Sequence, residues 1–228
     1  MKLIIGMILF EEVTILDFVG PYEVFTKIKD WEIKIIGLGG KKITCNGSLK
    51  IEAEYDISEI ESVDILFVPG GYGVNEVILN PDFLKELERL GSSANYVTSV
   101  CTGSLALGAA GLLQGYQATS HWRSLDLLSY FGATPNPDRV VWDGNRITGG
   151  GITSGIDFAL DLVKIIEGEE RAKEIELWLE YDPKPPLLTG HPRIAPKEVL
   201  ERVVKNTESS RFVRENVIRE FLKNKQDK

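Results

Sequence analysis

The stretch Tyr96-Val97-Thr98-Ser99-Val100-Cys101-Thr102-Gly103-Ser104 decides the fold, because a strand runs straight into a helix within it. The residues before Cys101 are apolar and β-branched, as in a buried strand. Thr102 to Leu113 is small and apolar throughout, which predicts a buried helix. A sharp strand-to-helix turn of this kind is a nucleophile elbow, which raises one side chain above the sheet. The sequence therefore places Cys101 at the end of an inner strand.

Strands and helices alternate on both sides of this elbow. This alternation predicts a single α/β domain with a mostly parallel sheet sandwiched between helices. Asn80 is the expected cap of one helix, with Pro81 at its first position. The other predicted strands are Lys2 to Phe10, Ile33 to Leu38 and Ile65 to Val68, and the other helices are Asp17 to Ile28, Pro81 to Leu90, Ile156 to Glu167 and Glu169 to Glu180.

The second half of the chain adds a hairpin and a helical tail. Arg139 to Trp142 and Arg146 to Thr148 flank the turn residues Asp143-Gly144-Asn145. Asp182 to Pro186 is rich in proline and should be extended. Two short polar helices are expected between Pro196 and Lys225. We predict a domain over residues 1–190 and a helical extension over 191–228, packed on the domain or on a subunit interface.

Composition excludes several classes of protein. The 228 residues are 43% hydrophobic and 26% charged, which is typical of a globular chain, and the net charge is -8. Such a surface repels nucleic acid and anionic membranes, so neither is an expected partner. Two cysteines make no disulfide framework, and a cytoplasmic location is expected. The apolar N-terminus is too short to span a bilayer and lacks a signal-peptide cleavage site.

Candidate functional residues follow the ends of several strands. Ligands of parallel sheets bind beyond these carboxyl ends, where Cys101, the Gly70-Gly71 pair and Asp17 are expected. The helix N-terminus after Cys101 favours a thiolate nucleophile, although a free cysteine is also a common core residue. The amides of Gly71 and Thr102 are candidate oxyanion donors, although a glycine pair also suits a tight turn.

Asp17 is the less obvious candidate. It stands in an apolar stretch, so it is either a helix cap or a functional carboxylate. Burial would raise its pKa and keep it protonated, ready to donate a proton.

The other polar motifs are weaker indications of a functional site. The Gly149 to Gly155 run lacks the spacing of a dinucleotide loop, so it is expected to form a pocket wall that includes Gly150. Thr153 or Ser154 is the expected cap of the following helix. The only histidines, His121 and His191, are more often structural than catalytic at such positions. No cluster has the ligand spacing of a metal site, so no metal is expected.

Several motifs together resemble the ThiJ/PfpI superfamily. The resemblance implies a flavodoxin-like fold with the topology of class I glutamine amidotransferases, and a homodimer. Peptidase-type members carry a histidine after the cysteine, whereas this chain has Thr102. The motifs are Leu16 to Phe25, Val68 to Gly71, Ser99 to Gly103, Ala118 to Trp122, Gly155 to Leu160 and Leu177 to Pro183.

Within the superfamily, the combination of Asp17, Cys101 and Thr102 resembles the isonitrile hydratases. The resemblance implies a lyase that hydrates a small apolar isonitrile to an N-substituted formamide, without a cofactor. Cys101 would be the nucleophile, Asp17 the acid-base group and Thr102 a hydrogen-bonding partner. Gly70, Gly71 and Gly150 would then contact the substrate.

Two alternatives stay open. One is a glyoxalase III-like or deglycase activity on reactive carbonyls. The other is a stress sensor that signals through oxidation of Cys101. A related sensor class carries a helix-turn-helix module, but the chain continues for too few residues after Asp182 to form one.

Overall fold

A computed structural model describes residues 2–226 of the chain. The main sheet and two small two-stranded sheets contain eleven strands among these residues: β1 (Leu3–Leu9), β2 (Trp31–Gly37), β3 (Lys42–Thr44), β4 (Lys50–Glu52), β5 (Tyr55–Asp56), β6 (Ile65–Val68), β7 (Tyr96–Val100), β8 (Gln117–Ala118), β9 (Thr134–Pro135), β10 (Val140–Asp143) and β11 (Arg146–Gly149). The α-helices are α1 (Ile15–Phe25), α2 (Val74–Leu79), α3 (Pro81–Ser93), α4 (Gly103–Ala109), α5 (Ser154–Glu167), α6 (Glu169–Trp178), α7 (Lys197–Asn206) and α8 (Glu208–Gln226).

The main sheet has seven strands in the order β10-β11-β7-β6-β1-β2-β5. Every neighbouring pair is parallel except the β10–β11 hairpin at one edge. Helix α5 contacts α1 and α6 in one layer, and α2 contacts α3, α4 and α8 in a second. The predicted α/β class, with a mostly parallel sheet between helices, is confirmed.

Burial explains why the inner strands are continuous apolar runs. All four residues of β6 are completely inaccessible to solvent, as expected for a strand covered on both faces. The start of α3 also follows its sequence signal, since the Asn80 side chain accepts hydrogen bonds from the amides of Asp82 and Phe83. Because β1, β6 and β7 are neighbouring parallel strands, their carboxyl ends lie side by side.

The structure corrects two local predictions. Helix α4 ends at Ala109 rather than continuing to Leu113, because Gly111 adopts a left-handed φ of +79° that stops the helix. The N-terminus of α5 at Thr153 has no side-chain cap, and the nearby Asp157 pairs with Arg139 instead. The β3–β4 hairpin and α2 were not predicted.

The last helix packs on the domain and is longer than expected. Ile218 in α8 is fully buried, Arg211 pairs with Asp126, and the rings of Phe221 and Phe131 lie 5.9 Å apart. The boundary near residue 190 stays a prediction. Within residues 2–226, every helix is too short or too polar to cross a bilayer.

Candidate active site

Cys101 occupies a strained turn between β7 and α4. Its φ of +57° is left-handed, which costs an L-residue free energy. Hydrogen bonds fix the turn: the Cys101 amide donates to the carbonyls of Gly149 (3.0 Å) and Gly150 (2.9 Å). Gly103 lets α4 approach β6 closely, because an added Cβ there would lie 2.1 Å from the Val68 carbonyl oxygen. The structure thus builds the predicted elbow.

Asp17 lies in the first turn of α1 and is fully buried. Its Oδ2 atom accepts a hydrogen bond from the Gly70 amide at 3.2 Å, while Oδ1 has no hydrogen-bond partner among residues 2–226. Burial raises the pKa of Asp17 from 3.8 to about 7, against smaller lowering contributions from the Cys101 thiol and the Gly70 amide. This carboxyl group can therefore hold or release a proton near neutral pH.

Gly70 is the point at which the three loops meet. A Cβ added to it would lie 2.6 Å from the Thr102 amide nitrogen. The same atom would lie 2.8 Å from Asp17 Oδ2 and 2.8 Å from Cys101 Cβ. The absence of a side chain at this position is what allows the acid and the thiol to face each other.

The Cys101 thiol differs from the sequence expectation of a thiolate. Burial, and next the charge of Asp17, raise the pKa of Cys101 well above its ordinary value. The Thr102 amide and the charge of Arg214 oppose this rise, but they do not reverse it. The resting form is the protonated thiol, so any reaction at sulfur needs a base beside it.

The side chain of Thr102 joins two of the loops. Its Oγ1 atom accepts a hydrogen bond from the Gly71 amide (3.0 Å) and donates one to the Gly71 carbonyl (3.3 Å). The Gly71 amide is bonded to Thr102 Oγ1 and the Thr102 amide interacts with the thiol, so a role for this pair as oxyanion donors stays a prediction. Substrate contact at Gly70 and Gly71 stays a prediction.

A cavity of about 250 Å³ opens in front of the thiol. Its walls include Cys101, Thr102, Gly71, His121, Arg123 and two arginines of α8, Arg211 and Arg214. Burial, followed by the charges of Arg214 and Arg123, lowers the pKa of His121 from 6.5 to about 4. His121 is therefore neutral at pH 7 and contributes no charge to the cavity.

Gly150, which was predicted to form a pocket wall, and His191, which was expected to be structural, lie elsewhere. Gly150 and His191 line a second cavity of about 400 Å³ rather than the one in front of the thiol. Gly150 still affects the elbow through its carbonyl, which accepts the Cys101 amide.

Arg214 is the main site residue that the sequence analysis missed. It is mostly buried, and it donates hydrogen bonds to Asn75, Ser124 and the Gly71 carbonyl. One sequence signal was available: Arg211 and Arg214 are three positions apart, so they lie on one face of α8, and Thr207 just before the helix continues the same spacing. That face covers the cavity.

The fold and the cysteine elbow together define a class, and the chain belongs to the DJ-1/PfpI family. The family model matches residues 4–165. The chain is 42% identical over 217 residues to isonitrile hydratase from Pseudomonas putida, covering 95% of each protein.

Two solved structures are similar to this one. A ThiJ/PfpI family protein from Pseudomonas syringae superimposes with a TM-score of 0.92 at 35% identity, covering 96% of this chain and 91% of that one. Drosophila melanogaster DJ-1beta shares the fold, with a TM-score of 0.71 at 22% identity over 79% of this chain and 98% of that one.

Proposed function

We propose that the protein hydrates isonitriles to N-substituted formamides, with Cys101 as nucleophile and Asp17 as acid-base group. The observation that carries the proposal is the buried Asp17 carboxyl, whose pKa is about 7 and which lies beside the Cys101 thiol. The similarity to the Pseudomonas putida isonitrile hydratase over 95% of the chain supports the same reaction.

The first step uses the terminal carbon of the isonitrile, which accepts both a nucleophile and a proton. The thiol gives its proton to the Asp17 carboxylate as sulfur bonds to that carbon. Asp17 then passes the same proton to the carbon. One S–H bond breaks, one C–S bond and one C–H bond form, and the product is a neutral thioimidate.

The second step returns the enzyme to its starting state. Asp17, again a carboxylate, removes a proton from water as the oxygen adds to the thioimidate carbon. The nitrogen takes this proton. Collapse of the intermediate breaks the C–S bond, the hydroxyl proton returns to sulfur, and the formamide leaves. The sum is the addition of one water, without an oxidant or reductant.

Thr102 serves as a positioning residue in this mechanism. Its hydroxyl holds the Gly71 backbone from both sides, and its amide contacts the thiol. The loop that carries Gly70 is thereby kept against the Asp17 carboxyl. Gly70 and Gly71 are proposed to contact the bound substrate.

The proposal is tested with n-butyl isonitrile by following formamide production by NMR. We expect turnover by the wild type, and a loss of about a thousand-fold or more in Cys101→Ala and in Asp17→Asn. Cys45→Ala is the matched control, because Cys45 is the other buried free cysteine, and it should retain turnover. Wild-type activity equal to buffer would refute the function, and activity surviving Cys101→Ala would refute the mechanism.

The two alternatives are tested on the same variants. Methylglyoxal consumption that depends on Cys101 would support the carbonyl activity. The redox-sensor alternative is disfavoured, because sensor cysteines have a low pKa and are accessible, whereas Cys101 is only 5% exposed with a raised pKa. A cytoplasmic homodimer remains part of the proposal, and light scattering in solution tests the dimer.

A further inference from the structure

The cavity in front of Cys101 has a charge opposite to that of the whole protein. The chain carries a net charge of -8, yet Arg123, Arg211 and Arg214 all line this cavity. Within the part of the chain that the structure describes, its lining includes no aspartate or glutamate. Asp17 is fully buried behind the wall. A wholly apolar substrate would supply no negative charge to interact with these arginines.

The two arginines of α8 differ in whether an acid already neutralises them. Arg211 binds the Asp126 carboxylate with both terminal nitrogens, at 2.9 Å and 2.6 Å. Arg214 has only neutral partners: Nε donates to Asn75 Oδ1 (3.0 Å), Nη1 to Ser124 Oγ (3.4 Å) and Nη2 to the Gly71 carbonyl (3.0 Å). Arg214 makes no ion pair within residues 2–226.

The hydrogen bonds of Arg214 leave two of its five donors unused. A guanidinium has five N–H groups in a fixed plane, and the three contacts use one from each nitrogen. One N–H therefore remains on each terminal nitrogen, and both can donate to a carboxylate. A mostly buried cation without a counter-ion is costly, so a ligand that supplies the negative charge would be favoured.

We propose that Arg214 binds a carboxylate on the substrate, so that the preferred isonitriles carry an acid group rather than being wholly apolar. This inference rests on the proposed hydration reaction and specifies its substrate class. Arg214 and Cys101 line the same 250 Å³ cavity, so a short chain between the isonitrile carbon and the carboxylate spans them. Neutral His121 does not compete for the anion.

The test compares a matched pair of substrates, 5-isocyanopentanoate and its primary amide. We expect kcat/KM of the wild type to favour the carboxylate. Arg214→Gln should lower kcat/KM for the carboxylate about ten- to hundred-fold more than for the amide, as expected when a charged hydrogen bond is lost. Arg214→Lys keeps the charge and should restore part of the selectivity. An Arg214 that only ties α8 to the Gly71 loop would affect both substrates by the same factor.

Arg211→Gln is the matched control, because its charge in the same cavity is already neutralised by Asp126. Its selectivity ratio should stay within about two-fold of the wild type, since a pair that is already satisfied adds little attraction for a second anion. A wild-type ratio that favours the amide, or equal ratios in the wild type and Arg214→Gln, would overturn the inference.

A binding measurement separates this inference from the proposed reaction. Cys101→Ala cannot form the thioimidate, so calorimetry with 5-isocyanopentanoate reports recognition alone. We expect the double variant Cys101→Ala, Arg214→Gln to bind it about ten-fold or more weakly than Cys101→Ala. Absence of turnover of both substrates together with this difference would refute hydration but keep Arg214 as the anion site. Turnover without the difference would refute the anion site alone.

Discussion

The two cysteines of the chain have the same side chain and similar burial, yet they lie in very different surroundings. Cys45 is 2% exposed and Cys101 is 5% exposed, and burial is the largest cause of a raised thiol pKa at both. Cys45 follows β3, where its amide donates to the Leu49 carbonyl and its carbonyl accepts the Ser48 amide. It closes a tight hairpin in ordinary backbone geometry. Cys101 sits on a left-handed turn beside a buried acid.

This comparison teaches that neither burial nor the direction of a pKa shift identifies a functional cysteine. What distinguishes Cys101 is the set of groups held around it by separate loops: Asp17 from α1, Gly70 after β6 and Arg214 from α8. Space is kept open there at a cost in backbone strain. Such strain persists where the surrounding structure fixes it, and it is common at active sites.

The largest difference between the two regions is expected from adding one methyl group to a glycine near each cysteine. Gly70→Ala would place Cβ within 2.8 Å of Asp17 Oδ2 and of Cys101 Cβ, and it should reduce isonitrile turnover by about a thousand-fold or more. Gly47→Ala, two residues after Cys45, meets no atom within 4 Å and should leave turnover unchanged.

The stability of the same two variants shows whether a loss of turnover comes from the site or from unfolding. Gly47 has a φ of +83°, so alanine there should cost about 1 kcal/mol in the free energy of unfolding, from backbone strain alone. Circular dichroism should show Gly70→Ala folded at the assay temperature. Full turnover by a folded Gly70→Ala would contradict the site geometry. It would mean that a methyl group between the acid and the thiol does not disturb the reaction.

The fold was predictable because its main signals are local. The bounds of β6 and β7 match the predicted strands, and the Asn80 cap starts α3 where expected. The β3–β4 hairpin was missed because Lys42–Thr44 and Lys50–Glu52 are too short and polar for a periodic pattern. The helix after Cys101 was predicted too long, because the apolar composition continues past Gly111 although the backbone turns there.

The candidate site was only partly predictable. Cys101, Asp17 and the Gly70-Gly71 pair follow strand ends, and parallel topology brings such ends together. Arg214 and Gly71 are 143 positions apart, and no local pattern near Gly71 predicts their contact. The protonated state of the thiol was missed for a related reason, because burial is set by the packing of distant segments.

The acid beside Cys101 should leave a pH signature that the Cys45 region lacks. The pKa of Asp17 is about 7 in the folded protein but close to 3.8 in the unfolded chain. Between these values the folded state keeps a proton that the unfolded state has lost, so stability falls as pH rises from 4 to 7. The full loss for such a shift is about 4 kcal/mol.

Urea unfolding of Asp17→Asn at pH 5 and pH 8 checks this sign. The variant should gain stability over the wild type, and the gain should be larger at pH 8, where the wild type holds a buried charge. Asp56→Asn is a control of opposite sign, because hydrogen bonds from Ser58 lower the pKa of Asp56. That variant should lose the same stability at pH 5 and at pH 8, because both lie above the ordinary aspartate pKa of 3.8, and it should lose less at a pH below that value. A gain at Asp17→Asn that is independent of pH would contradict the raised pKa.

The smallest expected effect is the difference in stability between glycine and alanine at each cysteine position, which should have opposite signs at positions 101 and 45. At position 101 the left-handed φ of +57° strains alanine but not glycine. Cys101→Gly should therefore be more stable than Cys101→Ala by about 0.5–1 kcal/mol, the strain relief less the entropy that glycine adds to the unfolded chain. Cys45 has no positive φ, so only the entropy applies there, and Cys45→Gly should be less stable than Cys45→Ala by about 0.5–1 kcal/mol. Urea unfolding of the four variants under one condition measures both differences. If alanine proved the more stable residue at both positions, the elbow would carry no backbone strain, and the two regions would differ only in their neighbours.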